Sequence, residues 1–285
     1  MIKLISEKKE MQRYVTAHQA HNRTVSIVPT MGGLHDGHLS LIKHAAQDCT
    51  IIIVTIYVNP TQFAAHEDLD SYPRTLDSDL DKLAEQGLAH AVYIPSEMYR
   101  EDHATMIKPE GPAERLEGVY RPHFFSAVAT IVLKLFQHVP ADKAYFGEKD
   151  YQQLAVIKQM VTDFDLPIDI HGVPTARDKH GLALSSRNLY LSEAQLRIAP
   201  NLFKQMCQAA TLIKKGDDVA TVLDDAKGQL LKVGFASIDY FELCDAKTLA
   251  PLSSPEEGAR LFAALHLGQT RLIDNAALDD LCAAQ

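Results

Sequence analysis

The apolar positions of this chain fall into two textures, and the break between them comes near residue 175. In the first part, the run Thr50-Ile51-Ile52-Ile53-Val54-Thr55-Ile56-Tyr57-Val58 leaves no polar face. A strand apolar on both faces belongs to a parallel sheet covered by helices. Around it the pattern predicts a short strand and an amphipathic helix within residues 2–21, a strand over Val25–Val28 and a helix over Leu39–Gln47. An acidic helix over Arg74–Gly87, a strand over Ala91–Ile94, an apolar helix over Ala127–His138 and a strand over Lys143–Phe146 follow. Strands alternating with helices in this way specify a doubly wound α/β fold, whose ligands sit beyond the carboxyl ends of the strands.

After about Thr175 the pattern changes to two polar helices, Leu196–Lys214 and Asp217–Val233, and then to strand-like Ser237–Cys244, Arg260–Leu267 and Thr270–Ile273. Two domains are therefore expected: residues 1–175, an α/β domain on a doubly wound parallel sheet, and residues 176–285, a small α+β carboxyl-terminal domain. Gly181 and a serine-rich loop near the start of the second suit a hinge or lid.

The polar loops at the strand ends carry the candidate chemistry. Directly after Val25–Val28 comes Pro29-Thr30-Met31-Gly32-Gly33-Leu34-His35-Asp36-Gly37-His38. Three glycines within six residues let backbone N–H groups approach a phosphate, and the helix behind adds the positive end of its dipole. Met31, Gly32, Gly33, Leu34, His35, Asp36, Gly37 and His38 are the candidate ATP-binding turn, with the two imidazoles as donors to charge developing on an α-phosphate. Half a metal site, or a decorated helix start, is the competing reading of the histidine pair.

Gly147-Glu148-Lys149-Asp150-Tyr151-Gln152-Gln153 opens a helix, and Asp150 with Gln153 three residues on also fits a capping box. Lys149 has no capping duty, and a compact ammonium beside a helix start suits a β- or γ-phosphate. Leu184-Ser185-Ser186-Arg187 offers two hydroxyls and a guanidinium fork for phosphate oxygens, or equally a polar turn before a helix capped by Ser192. Asn59, Gln62 and Phe63, after the most buried strand, suit a neutral pocket wall for a small hydroxylated substrate, or a turn built on Asn59-Pro60. Asp77, Asp79 and Asp81 read as a solvated helix face. Ser6-Glu7-Lys8-Lys9 matches S-x-x-K without its companion motifs, and no P-loop, H-E-x-x-H or G-x-S-x-G occurs.

Charge and cysteine usage narrow the class further. The net charge of −9 is spread over both parts of the chain, which argues against a nucleic-acid partner. Cys49, Cys207, Cys244 and Cys282 show no metal or disulfide spacing, as expected for a reducing cytoplasm. Residues 1–14 mix charged and apolar groups instead of forming a signal peptide's apolar stretch, and Ile51–Val58 is too short to span a membrane.

The histidine turn, Val58-Asn59-Pro60-Thr61-Gln62-Phe63, Tyr72-Pro73-Arg74-Thr75, residues 146–153, Leu182 to Asn188 and Thr270-Arg271-Leu272-Ile273-Asp274-Asn275 together resemble the pantothenate synthetase family. The resemblance implies a Rossmann-like fold of the class I synthetase type. It also implies ATP-dependent condensation of (R)-pantoate with β-alanine to pantothenate, AMP and diphosphate through a pantoyl adenylate, in coenzyme A biosynthesis. Met31 to His38, Gly147, Glu148, Lys149, Asp150, Ala176, Leu184, Ser185, Ser186 and Arg187 would hold ATP. Gln62 and Gln153 would bind pantoate, with Gln62 also facing β-alanine, and His38, His35 and Lys149 would be catalytic. Mg²⁺ would ride on the phosphates with no protein metal site and no tightly bound cofactor, and the enzyme would be a homodimer. The alternative is a nucleotidyltransferase of the same fold. One segment departs from the family's usual Arg-Pro-Gly-His-Phe-x-Gly-Val: Phe124 takes the histidine position and Ala127 a glycine position, and neighbouring His123 is assigned no role.

Overall fold

The structure, a computed structural model, describes residues 2–64 and 67–282, the side chain of Cys282 lying outside the described set. The chain divides into two compact units, Met1–Glu148 with Gln153–Pro174, and Lys149–Gln152 with Thr175–Gln285.

The first unit is built on six parallel strands, β1 (Lys3–Ile5), β2 (Val25–Thr30), β3 (Ile51–Ile56), β4 (Ala91–Tyr93), β5 (Lys143–Gly147) and β6 (Asp169–Val173), in the order β1-β4-β3-β2-β5-β6. Its helices are α1 (Lys8–Gln19), α2 (Asp36–Asp48), α3 (Leu76–Gln86), α4 (Glu117–Tyr120) and α5 (Phe124–His138), and α6 (Tyr151–Asp163) follows β5. Successive residues of β3 serve opposite faces. Ile51 and Ile53 enter one core with Met11 and Val15 of α1 and Val128 and Val132 of α5. Ile52 and Val54 enter the other with Leu41 and Ile42 of α2 and Leu83 of α3. That two-sided demand is why β3 reads as an unbroken apolar run. The fold is thus the expected doubly wound, Rossmann-like sheet. β6 escapes the sequence pattern because it is an edge strand in which Val173 alone is buried.

The order of the strands fixes where a ligand crevice opens. From β2 the chain crosses to β3 and β4, then returns so that β5 pairs with the other side of β2. β2 and β5 therefore flank the topological switch point, and their carboxyl ends release the segments beginning at Met31 and Glu148 at the same edge of the sheet.

The second unit holds an antiparallel sheet of β7 (Ser237–Asp245), β8 (Ala259–Leu267) and β9 (Thr270–Ala277) with α7 (Glu193–Ile198), α8 (Asn201–Lys215), α9 (Val219–Lys232) and α10 (Leu278–Cys282). Met206, Ile213, Leu230, Phe241 and Leu261 centre its own core. The single helix expected over Leu196–Lys214 is two helices, because Pro200 lacks the N–H and crowds the preceding turn. Ser192 and Gln195 form the expected capping box of α7. β9 runs four residues past its expected end, carrying Asp274 and Asn275 inside the unit, both buried. Among the described residues, no helix is long and apolar enough to cross a membrane.

One buried pair makes this fold sensitive to acid. His138 ends α5 with its Nδ1 2.7 Å from the Tyr93 hydroxyl, and both side chains are buried. Burial first, then the charges of Lys8 and Lys134, pushes the imidazole down from 6.5 to about 4. The unfolded chain therefore binds this proton before the folded one does. The contribution of His138 is complete above pH 6.5 and is lost as pH falls toward about 4. Its full loss amounts to roughly 3 kcal/mol. Urea denaturation of His138→Gln across that window should show a shallower fall in stability than the parent chain. Identical slopes would contradict the assignment.

Candidate active site

The histidine turn is held from below by an acid. Gly32 and Gly33 both take left-handed backbone angles, φ +85° and +61°, which turn successive N–H groups to one side. The group they meet is the wholly buried carboxylate of Asp79 on α3. Gly33 N donates to its Oδ2 at 2.9 Å and Leu34 N to its Oδ1 at 2.8 Å, with the Thr75 hydroxyl 3.3 Å from Oδ1. Lys82 Nζ, one turn on, donates to Leu34 O at 2.7 Å. A Cβ at Gly32 would stand 3.2 Å from Asp79 Oδ2 and 3.3 Å from Ile56, so the left-handed glycine also permits the close approach.

Two sequence expectations change here. Asp79 is not part of a solvated face: only its neighbours Asp77 and Asp81 are exposed. The N–H groups of Gly33 and Leu34 are also engaged by this carboxylate, and those of Gly32 and Gly37 donate to Thr30 Oγ1 at 3.3 Å and His35 Nδ1 at 3.1 Å. The turn's donors therefore order the turn itself, which leaves the imidazoles as its candidate ligand groups.

His35 is the N-cap of α2, and the pair forms a reciprocal capping box, His35 N donating to His38 Nδ1 at 3.4 Å. The rings lie 4.1 Å apart between centroids, tilted by 39°. Each Nδ1 accepts a backbone proton, so each neutral ring carries its own proton on Nε2. The helix-start reading of these histidines is therefore met, and it is compatible with their serving as donors. Capping is what sets the tautomer.

The loop after β3 is tied to this turn. Gln62, in a 3-10 turn over Pro60–Gln62, donates from Nε2 to Met31 Sδ at 2.9 Å and accepts at Oε1 from Asn59 Nδ2 at 3.3 Å. Asn59 is buried, accepts from Thr61 Oγ1 at 2.9 Å, and reaches Ala127 O at 3.5 Å, so it orders the turn rather than forming an open wall. Phe63 is buried edge-on against Tyr72. Burial pushes the nearby Tyr57 phenol up to about 12. Gln153 sits half-buried in the first turn of α6.

The other candidates lie along 147–150 and in the second unit. Gly147 ends β5, and Glu148, Lys149 and Asp150 form a 3-10 turn before α6. Lys149 is largely enclosed, its Nζ 3.6 Å from Asp150 Oδ1, while Asp150 is exposed. Ala176 O accepts from Leu184 N at 2.9 Å, closing a short hairpin. Ser185 Oγ then caps the 3-10 turn Ser186–Tyr190 by accepting from Arg187 N at 3.3 Å. Ser186 is buried and Arg187 half-buried.

A family profile described as pantoate-beta-alanine ligase matches residues 3–277. The chain belongs to the pantoate-beta-alanine ligase family. It is 49% identical to the pantothenate synthetase of Nitrobacter hamburgensis over 269 residues, covering 93% of this chain and 94% of that one. It is 45% identical to that of Caulobacter vibrioides over 274 residues, covering 94% and 96%. Among solved structures it superposes on the Thermus thermophilus pantothenate synthetase with a TM-score of 0.91 at 39% identity, covering 97% and 99% of the two chains. It matches the Francisella tularensis pantoate-beta-alanine ligase with a TM-score of 0.81 at 33% identity, covering 98% of each chain; that crystal contained beta-gamma ATP and beta-alanine.

As a pantoate-beta-alanine ligase, the chain is an enzyme of pantothenate biosynthesis, and its departing segment has a structural account. Phe124 lies under the Arg121 guanidinium, 3.8 Å from ring centre to the guanidinium carbon. Arg121 also grips Glu67 through two hydrogen bonds of 2.7 and 2.6 Å and donates to Gln62 O at 3.2 Å. Ala127 is buried and supplies its carbonyl to Asn59, and His123 is exposed. Asp79 and Arg121 order the candidate loops, a part the sequence reading did not give them. For Asp79 the signal was its spacing of four from Leu83, which places it on the buried stripe of α3.

Replacing Asp79 with Asn sets an amide NH₂ against backbone N–H groups of Gly33 and Leu34 that can only donate. The loss should be about 3 kcal/mol in urea denaturation, on the scale of a charged acceptor removed and a buried N–H left without one. Turnover should fall about tenfold or more in the still-folded enzyme as the histidine pair loses its register. Parental stability and turnover in Asp79→Asn would contradict this picture.

Proposed function

We propose that the chain condenses (R)-pantoate with β-alanine at the expense of ATP, through a pantoyl adenylate. The pantoate carboxylate oxygen attacks the α-phosphorus, the bond to the β-phosphate bridging oxygen breaks, and diphosphate leaves. The amine of β-alanine then attacks the acyl carbon, AMP departs, and the amine's proton passes to solvent, leaving pantothenate. Neither step needs a protein nucleophile; both need alignment and stabilisation of charge on phosphate oxygens.

The observation that carries this reading is the histidine pair with both Nδ1 atoms engaged by backbone N–H groups, which makes each Nε2–H a donor of fixed direction. In our reading His38 and His35 meet the α-phosphate, with His38 the proton donor, and Lys149 meets the β- and γ-phosphates. Met31 to His38 line the nucleotide, Gly147, Glu148 and Asp150 take ribose and phosphate, and the backbone at Ala176 seats adenine. Leu184 to Arg187 close on the phosphates, with residues 176–285 acting as the lid. Gln62 and Gln153 bind pantoate, Gln62 exchanging its weak thioether partner for a substrate oxygen and also facing β-alanine. Amides suit hydroxyls and a carboxylate better than the phosphate acceptor a nucleotidyltransferase requires.

Among the described residues, no group of three or more His, Cys, Asp and Glu side chains is arranged to hold a metal ion. Mg²⁺ in this reading belongs to the substrate, carried on the ATP phosphates, and no tightly bound cofactor is involved. A homodimer in the cytoplasm completes the reading.

Pantoate labelled with ¹⁸O in its carboxylate tests the route. One label should appear in AMP for each pantothenate formed; unlabelled AMP, or ADP with labelled phosphate, would rule the adenylate out. His38→Ala and Lys149→Ala should each lower turnover roughly a hundredfold, the scale of removing a preorganised charge stabiliser. Near-parental turnover in both would show that the phosphate site lies elsewhere.

A further inference from the structure

Asp274 and Asn275, in the last strand of the second unit, have no place in the chemistry above, yet both are almost wholly buried polar side chains. Their hydrogen bonds run to the segments that carry Lys149 and Arg187. Asn275 Nδ2 donates to the Lys149 carbonyl at 2.8 Å, and its Oδ1 accepts from Arg260 Nη1. A guanidinium only donates, so Arg260 obliges the amide oxygen to face it and the NH₂ to face Lys149. Arg260 is itself buried, stacked 3.9 Å over the ring of Tyr151, two residues past Lys149. The Lys149 segment is thus fixed at its carbonyl and through the neighbouring ring.

Asp274 does the same for the hairpin. Its two oxygens accept from Arg177 Nη1 and Nη2 at 2.6 and 2.8 Å, and Asn275 N donates to Oδ1 at 2.8 Å. Arg177 also donates to Gly181 O at 3.1 Å and lies 3.8 Å over the Phe203 ring. A Cβ at Gly181 would come 2.8 Å from Phe203, so the hairpin tip is shaped to this packing. From Ala183 the tie continues to Asn188, whose Nδ2 donates to Ala183 O at 3.0 Å beneath the Ser185–Arg187 turn.

We propose that Asp274 and Asn275 are positioning residues that hold Lys149 and the 176–187 loop in a common register, so that the ammonium and the guanidinium fork meet a triphosphate preassembled. This rests on the reading of Lys149 and Arg187 as phosphate ligands. A lysine aligned by its own backbone reaches its transition-state geometry without ordering cost at the moment of reaction.

The test uses Asn275→Asp. It keeps an oxygen for Arg260 and replaces the donor to Lys149 O by a second oxygen. The expected result is a kcat about tenfold lower or more, ATP KM within about threefold of the parent, and an unfolding midpoint within a few degrees. In the double variant with Lys149→Ala, kcat should fall no further than in Lys149→Ala alone, the non-additivity of residues acting as one unit. Arg260→Gln, which releases the amide orientation, serves as a second variant and should lower kcat in the same direction if Asn275→Asp does not fold. Parental kcat in Asn275→Asp or in Arg260→Gln, or additive losses in the double variant, would overturn the inference while leaving the phosphate site standing. A Lys149→Ala enzyme with parental turnover would instead overturn the underlying site.

Discussion

The histidine turn of this enzyme depends on a buried carboxylate, which takes the backbone donors that the sequence pattern offers to a phosphate. Two successive left-handed glycines create a nest of N–H groups after β2, and Asp79 fills it from α3. Burying a carboxylate is costly unless its oxygens accept hydrogen bonds, and here the turn supplies them. The same bonds fix Leu34, and through it the start of α2, where the two histidines cap each other. The consequence is a division of labour: backbone donors stabilise the scaffold, and capping of each Nδ1 leaves each neutral ring's proton on Nε2.

Much of the fold was legible because burial writes a period into sequence. The unbroken apolar β3 required helices on both faces, and the break after residue 175 marked a change from parallel to antiparallel texture. What escaped had a local cause in each case. β6 is an edge strand with one buried residue, so it lacks an apolar period. Pro200 divides a run whose amphipathic stripe continues across it.

The candidate site was legible only in part. Glycines, histidines and a helix start stand adjacent in the chain, so their grouping could be read directly. Asp79 lies 46 residues from Gly33, and its aspartate neighbours on α3 are exposed, so its burial had no near-sequence signal beyond its place on the Leu83 stripe. Asn59 and Gln62 were read as a wall, but the structure engages them with Met31, Thr61 and Ala127, and Arg121 holds the loop from behind while stacked on Phe124. Asp274 and Asn275 stood out as a motif whose purpose no spacing could reveal, since Arg177 and Lys149 lie 97 and 126 residues away from them.

The central claim is that the scaffold sets the protonated nitrogen of both histidines before any ligand arrives. Nitrogen-15 NMR of the ligand-free enzyme with labelled histidine, at mildly alkaline pH and with His35 and His38 assigned by substitution, reads this directly. The account predicts that both rings carry their proton on Nε2, with Nδ1 in the unprotonated, hydrogen-bond-accepting state. A proton on Nδ1 of either ring, or rapid averaging between the two tautomers, would contradict it.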